Sequence, residues 1–261
     1  MTGPALAAAG RLWLFCVLVF LYAPILVMAA MSFNASEFYR LPFEYSTRWY
    51  ERLWSNRVIL DAAMRSVWIA LITTGIATVL GTAAAVALFR HAFRGKRMLQ
   101  LLLFPPIAIP WLITGTAMLV FFFWVGIGRG TPAVIVGHVA LALPYVIVVV
   151  GARLATFDRT LEEAARSLGA SPWQVTRKVT LPWIAPGVIA GALFAFAVSF
   201  DQFVVSYFLA EPGDATLPVV IYTAIRKGFT PEINAISTLI IIVSMGLMLL
   251  VARYAKFGGG R

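Results

Sequence analysis

The sequence predicts an all-α integral membrane protein with six transmembrane helices and both termini in the cytoplasm. Three observations carry this. Of 261 residues, 61% are hydrophobic and only 12% are charged, against about 25% charged in an ordinary soluble domain. Apolar runs near the bilayer-spanning length of ~20 residues recur along the chain. The Lys and Arg residues fall unequally on alternate sides of those runs.

The first span is expected near 11–32. Its apolar stretch is longer than the ~7–15 residues of a cleavable signal core, so an uncleaved helix is expected. The segment 33–62 follows; it is aromatic and charged, with room for a surface helix. The second span is placed near 63–89 and the third near 99–127, both long enough to tilt. Pro105, Pro106 and Pro110 are expected to bend or break the third, since proline removes a helix donor and crowds the preceding turn. Between these two spans lies the short basic link 90–98. Gly128-Arg129-Gly130-Thr131 makes a tight turn into a fourth span near 132–153, on which His138 reads as a satisfied interior histidine. A long polar, helix-forming link, 154–184, leads to a fifth span near 185–209. A polar link, 210–232, leads to a sixth near 233–254. The whole chain, 1–261, reads as a single membrane domain.

With the N-terminus inside, the cytoplasmic segments hold thirteen basic residues, among them Arg90, Arg94, Lys96 and Arg97 in one link and Arg153, Arg159, Arg166, Arg177 and Lys178 in another. The opposite side holds eight. Five of those, Arg40, Arg48, Arg52, Arg57 and Arg65, are offset by Glu37, Glu44, Glu51 and Asp61. The net charge of +10 therefore reads as topogenic charge rather than a nucleic-acid footprint.

Several chemistries are excluded. One cysteine, Cys16, gives no disulfide framework, and with only His91 and His138 there is no metal site to assign. No Gly-x-x-x-x-Gly-Lys-Ser/Thr phosphate loop occurs. A membrane-embedded enzyme would want clustered His or Cys or paired intramembrane carboxylates, so no catalytic residue is assigned. Small residues at four-residue spacing, Ala77, Gly81 and Ala85 and then Gly187 and Gly191, let helices approach closely. They suit packing within one chain and a dimer seam equally.

The 154–184 link carries the most specific signal. It runs Leu161-Glu162-Glu163-Ala164-Ala165-Arg166-Ser167-Leu168-Gly169 and, later, Val179-Thr180-Leu181-Pro182. The first part is a strong helix former. Thr160 with Glu163 matches a capping box, Gly169 suits a helix end, and Pro172 can open the next helix. The spacing of Glu163, Ala164, Ala165, Gly169, Val179, Leu181 and Pro182 resembles the EAA loop of type I ABC importer permeases. The resemblance implies that family's six-helix fold in a bacterial inner membrane. It also implies a coupling helix over 161–168 that docks on an ATPase subunit. The partners implied are a second permease in a heterodimer, two ATP-binding subunits and an extracytoplasmic substrate-binding protein. ATP and Mg would be bound on the ATPase subunits, with no cofactor on this chain.

Within the family, the segment from Ser199 to Ser206, Leu217-Pro218 and Thr230-Pro231-Glu232-Ile233-Asn234-Ala235 is similar to the second permease of spermidine/putrescine importers. That implies a polyamine cargo; permeases for other small organic solutes share parts of the pattern. Asp201 is an ionisable group in an otherwise apolar span, where insertion costs ~2.5–3.5 kcal/mol. Counted from Ala185, it falls roughly 24 Å along the fifth span. Helical spacing places Phe194, Val198, Val205 and Phe208 near its face. A carboxylate can pair with an ammonium and aromatic rings can add cation–π attraction. Asp201, Phe194, Phe208, Trp111 and Tyr145 are accordingly the candidate path residues. A helix-tying role for Asp201 remains open, as does an ATPase-independent transporter, which would leave the Glu163 loop unexplained.

Overall fold

The computed structural model describes residues 3–37, 42–227 and 231–257. Arg40 and Thr230, invoked above, lie outside the described residues. Every regular element is helical; among the described residues the one pairing of extended backbone is an isolated bridge between Asn34 and Tyr45. The residues gather into two compact units, 1–60 with 221–250, and 61–220 with 251–261.

In the first unit, α1 (Pro4–Met31) runs on through Pro24 and leaves many large apolar side chains exposed, Trp13 and Phe20 by more than two thirds. Such a surface is stable only in contact with lipid or protein. The segment after it is ordered. Asn34 Oδ1 accepts from the backbone N–H of Ser36 and Glu44, and the buried Trp49 indole donates to the Asn34 carbonyl at 2.6 Å. Trp49 lies on α2 (Arg48–Ser55), a helix in the segment where the sequence left room for one, with Leu53 buried one turn later. Asn56 precedes α3 (Arg57–Arg90), and its amide donates to Glu232.

In the second unit α3 continues to Arg90. The third stretch is broken: α4 (Lys96–Leu103) and α5 (Pro105–Ala108) meet α6 (Trp111–Trp124) at a bend of 118°. The bend sits at Ile109-Pro110, where Pro110 cannot donate to the preceding turn. The helix α7 (Thr131–Ala155) is the spine of the unit. After it come α8 (Thr160–Ser167), α9 (Pro172–Val175), a π-helical turn over Thr176–Thr180, α10 (Leu181–Phe200) and α11 (Val204–Leu209). Most of α12 (Leu217–Lys227) and of α13 (Glu232–Phe257), which ends the described chain, belongs to the first unit.

The small-residue stripes now have addresses. A β-carbon on Gly81 of α3 would sit 2.7 Å from Val146 of α7, and one on Gly191 of α10 would sit 3.3 Å from the same valine. Ala77 and Ala85 are fully buried in the cluster that holds Val146, Ile147 and Val150. Both stripes thus pack against α7 within the chain.

Among the described residues, four helical stretches are long and apolar enough to cross a membrane: Ala8–Met31, Arg57–Arg90, Thr131–Ala155 and Pro172–Phe200. The bent α4–α6 region makes a fifth if counted as one span, and Glu232–Gly246 is a shorter apolar stretch. The fifth expected span differs most. Its helix starts at Pro172, not near 185, and ends at Phe200, not 209. The reckoning of Asp201's depth from Ala185 therefore does not hold.

Candidate functional site

Two places in the second unit gather the candidate residues. The first is the link around α8. Its N-terminus is not closed by Thr160, as the capping-box pattern suggested. Arg159 takes the cap position, and Asp158 Oδ1 accepts the Thr160 N–H at 2.9 Å. That backbone hydrogen bond, followed by one from the Thr160 side chain, holds the Asp158 carboxyl below its ordinary range. The C-terminus is a Schellman motif: Gly169 N–H donates to Arg166 O, and Ala170 N–H to Ala165 O. Gly169 has φ +85°, a conformation glycine adopts without cost. Ser171 then opens α9 with a reciprocal capping box to Gln174, and Pro172 sits in the first helical position.

The two neighbouring glutamates diverge. Glu163 and Ala164 are exposed and Ala165 is half-buried. Glu162, one step round the helix, turns inward. Its Oε1 lies 2.6 Å from Arg90 Nη2 at the end of α3 and accepts the Thr180 hydroxyl at 2.6 Å. In the same link Leu168 is 89% and Trp173 69% exposed, large apolar groups that a partner could cover. Beside it, a cleft of about 410 Å³ is lined by Arg159, Glu162, Glu163, Arg166 and Thr176. Leu181 and Pro182 are exposed at the start of α10. Proline lacks the N–H for a regular turn and its ring crowds the carbonyl four residues back. The wider π turn just before Pro182 accommodates both. Sequence reasoning missed Glu162, Arg90 and Asp158; only the helical offset between adjacent positions could have separated Glu162 from Glu163.

The second place is the gap between α10 and α11. Asp201 is the C-cap of α10, not an interior helical residue. Gln202 is buried, and its Oε1 accepts from the Val204 and Val205 N–H groups that begin α11. From α7, His138 spans the gap: Nδ1 is 2.8 Å from Ser199 Oγ and Nε2 is 3.0 Å from Ser206 Oγ. Both ring nitrogens are engaged, as expected of an interior histidine.

The gap also corrects the face drawn across 194–208, because a 3.6-residue period does not carry through a break. Val205 is fully buried, within 2.8 Å of where a Gly137 β-carbon would stand, and Phe208 packs against Gly115 of α6. Phe194, Ala197 and Asp201 do share an exposed line, at positions i, i+3 and i+7. Among the described residues no cation or donor meets the Asp201 carboxylate. Trp111 is exposed at the start of α6 and Tyr145 is half-buried on α7; neither is on Asp201's helix. An unpaired exposed carboxylate beside an exposed phenylalanine can meet a cation from outside this chain.

Residues 77–257 match the family of binding-protein-dependent transport system inner membrane components. The chain is 38% identical over 239 residues to the spermidine/putrescine transport system permease protein PotC of Haemophilus influenzae, covering 91% of this chain and 93% of that one. It is 38% identical over 242 residues to the putrescine transport system permease protein PotI of Escherichia coli K12, covering 90% and 86%. A solved bacterial ABC transporter involved in alginate import superposes with a TM-score of 0.75 over 96% of both chains at 15% identity, a likeness of fold.

Proposed function

The chain belongs to the family of binding-protein-dependent transport system inner membrane components, a non-catalytic transport component, and from that premise we propose that it is the permease half of an ATP-driven polyamine importer. The single observation that carries the cargo is Asp201: an unpaired carboxylate at a helix break, on an exposed line with Phe194. The polyamine names of the relatives at 38% identity point the same way.

In this reading the single domain, 1–261, crosses the bacterial inner membrane six times with both termini inside. It pairs with a second, different permease, two ATPase subunits and an extracytoplasmic binding protein. The helix α8 is the coupling helix, and ATP and Mg are bound on the ATPase subunits. Glu163 with Leu168 and Trp173 forms the docking face. Gly169 sets the turn, and Leu181 and Pro182 lead the chain back to the bilayer. Closure of the ATPase pair draws the docked helices together and swings the permease halves as rigid bodies.

Asp201 offers one carboxylate to one ammonium of a passing polyamine, and ring faces at Phe194 and Phe208, with Trp111 and Tyr145 further along the path, add ~0.5–2 kcal/mol each where a cation stacks. Such partial binding lets the cargo leave again, since a tight site would trap it. The test is ATP hydrolysis by the reconstituted complex. Stimulation by a spermidine- or putrescine-loaded binding protein, lost in Glu163→Ala, supports the reading. Stimulation only by a binding protein carrying an uncharged solute refutes the cargo.

A further inference from the structure

A docked coupling helix moves a permease only if it is fixed to the helices it must move. The links that flank α8 are short, yet each contains a turn that could flex: Thr156–Arg159 before it and Leu168–Ser171 after it. Glu162 supplies the missing fixture. Its Oε1 binds Arg90, the last residue of α3, and Thr180, the last residue of the π turn that runs into α10. The ion pair is largely desolvated, with the Arg90 and Glu162 side chains 9% and 18% exposed. Removing one member of such a pair strands the other.

The contacts continue. The Arg90 guanidinium lies 4.4 Å over the Phe157 ring, and Phe157 meets Trp183 of α10 edge-on at 5.6 Å. From α7, Arg153 Nε donates to the Trp183 carbonyl at 3.3 Å, and its guanidinium lies 5.1 Å from the Trp183 ring. The ends of α3, α7 and α10 are thus joined to α8 through one chain of contacts with Glu162 at its head.

We infer that the Arg90–Glu162–Thr180 clasp is the strut that transmits motion from the coupling helix to the membrane helices, so that Glu162 is a positioning residue for transport while Glu163 meets the ATPase. This rests on the coupling role proposed for α8. A regular helix places adjacent residues about 100° apart, which is how two neighbouring carboxylates come to serve an inner and an outer task. Salt screens a largely buried pair less than an exposed one, which favours a strut at the ionic strength of the cell.

The experiment compares E162Q, R90Q, the double variant R90Q/E162Q and E163A in the complete complex in proteoliposomes, reading assembly, stimulated ATP hydrolysis and solute imported per ATP. With the strut, E162Q assembles and hydrolyses ATP on stimulation, but import per ATP falls roughly tenfold, the scale of one charged hydrogen bond. R90Q/E162Q is then no worse than either single change, because the two act through each other. Unchanged import per ATP in E162Q, or additive losses in the double variant, overturns the strut. So does failure of E162Q to assemble, which would put Glu162 in the docking surface itself. If instead E163A leaves stimulation and import intact, the coupling role of α8 fails, and that outcome is read separately.

Discussion

Replacing His138 with phenylalanine tests how the gap between α10 and α11 is held. The imidazole bridges Ser199 and Ser206 at 2.8 and 3.0 Å, and all three residues are at least 97% buried. Phenylalanine keeps an aromatic ring there but leaves both hydroxyls without that partner. An orphaned buried polar group costs ~1–3 kcal/mol in general, while hydrogen bonds between membrane helices average ~0.6 kcal/mol because the unfolded chain finds other partners. Two bonds lost therefore bracket the destabilisation between roughly 1 and 6 kcal/mol. The assay is unfolding of the purified permease in mixed micelles with increasing SDS. The triple variant H138F/S199A/S206A removes the orphaned groups as well as the histidine. It is expected to be more stable than the sum of the three single changes. Strict additivity, or a silent H138F, would refute the bridge.

Three further outcomes follow from single positions. Gly169→Ala forces a β-carbon into φ +85°, where no other atom lies within 4 Å. The cost is conformational, ~1–2 kcal/mol, and Gly169→Asn should recover part of it, read as stimulated ATP hydrolysis with helical content unchanged. Gly81→Leu pushes against Val146 at 2.7 Å and should destabilise the permease by ~1–3 kcal/mol in the SDS assay, leaving assembly with the second permease intact. Asp201→Asn should raise the spermidine concentration for half-maximal uptake at least several-fold while assembly persists, because an amide keeps the shape and loses the charge; unchanged uptake would assign Asp201 no role in the path.

The chain displayed some of this plainly and hid the rest for physical reasons. Pro110 announced the bend in the third stretch because proline acts on its own backbone. Gly169 and Pro172 announced the turn after α8 in the same local way. The gap at Asp201 had no such signal: Ser199 to Ser206 contains neither proline nor glycine. It is held by Gln202 capping α11 and by His138 from another helix, a tertiary arrangement that helical periodicity cannot foresee. The same holds for Arg90, which reads as topogenic charge until its partner is seen. The small-residue stripes were visible as stripes, but only the packing of Val146 against both Gly81 and Gly191 showed that α7 fills them.

The central claim is that this chain carries polyamines only as part of an ATP-driven assembly. Uptake of labelled spermidine into proteoliposomes tests it directly, using the permease pair with its ATPase subunits and binding protein. Accumulation that requires ATP and the binding protein, and that putrescine competes away, is the predicted result. Spermidine entry that proceeds equally well without ATP, or no spermidine entry while a different solute is imported, would contradict it.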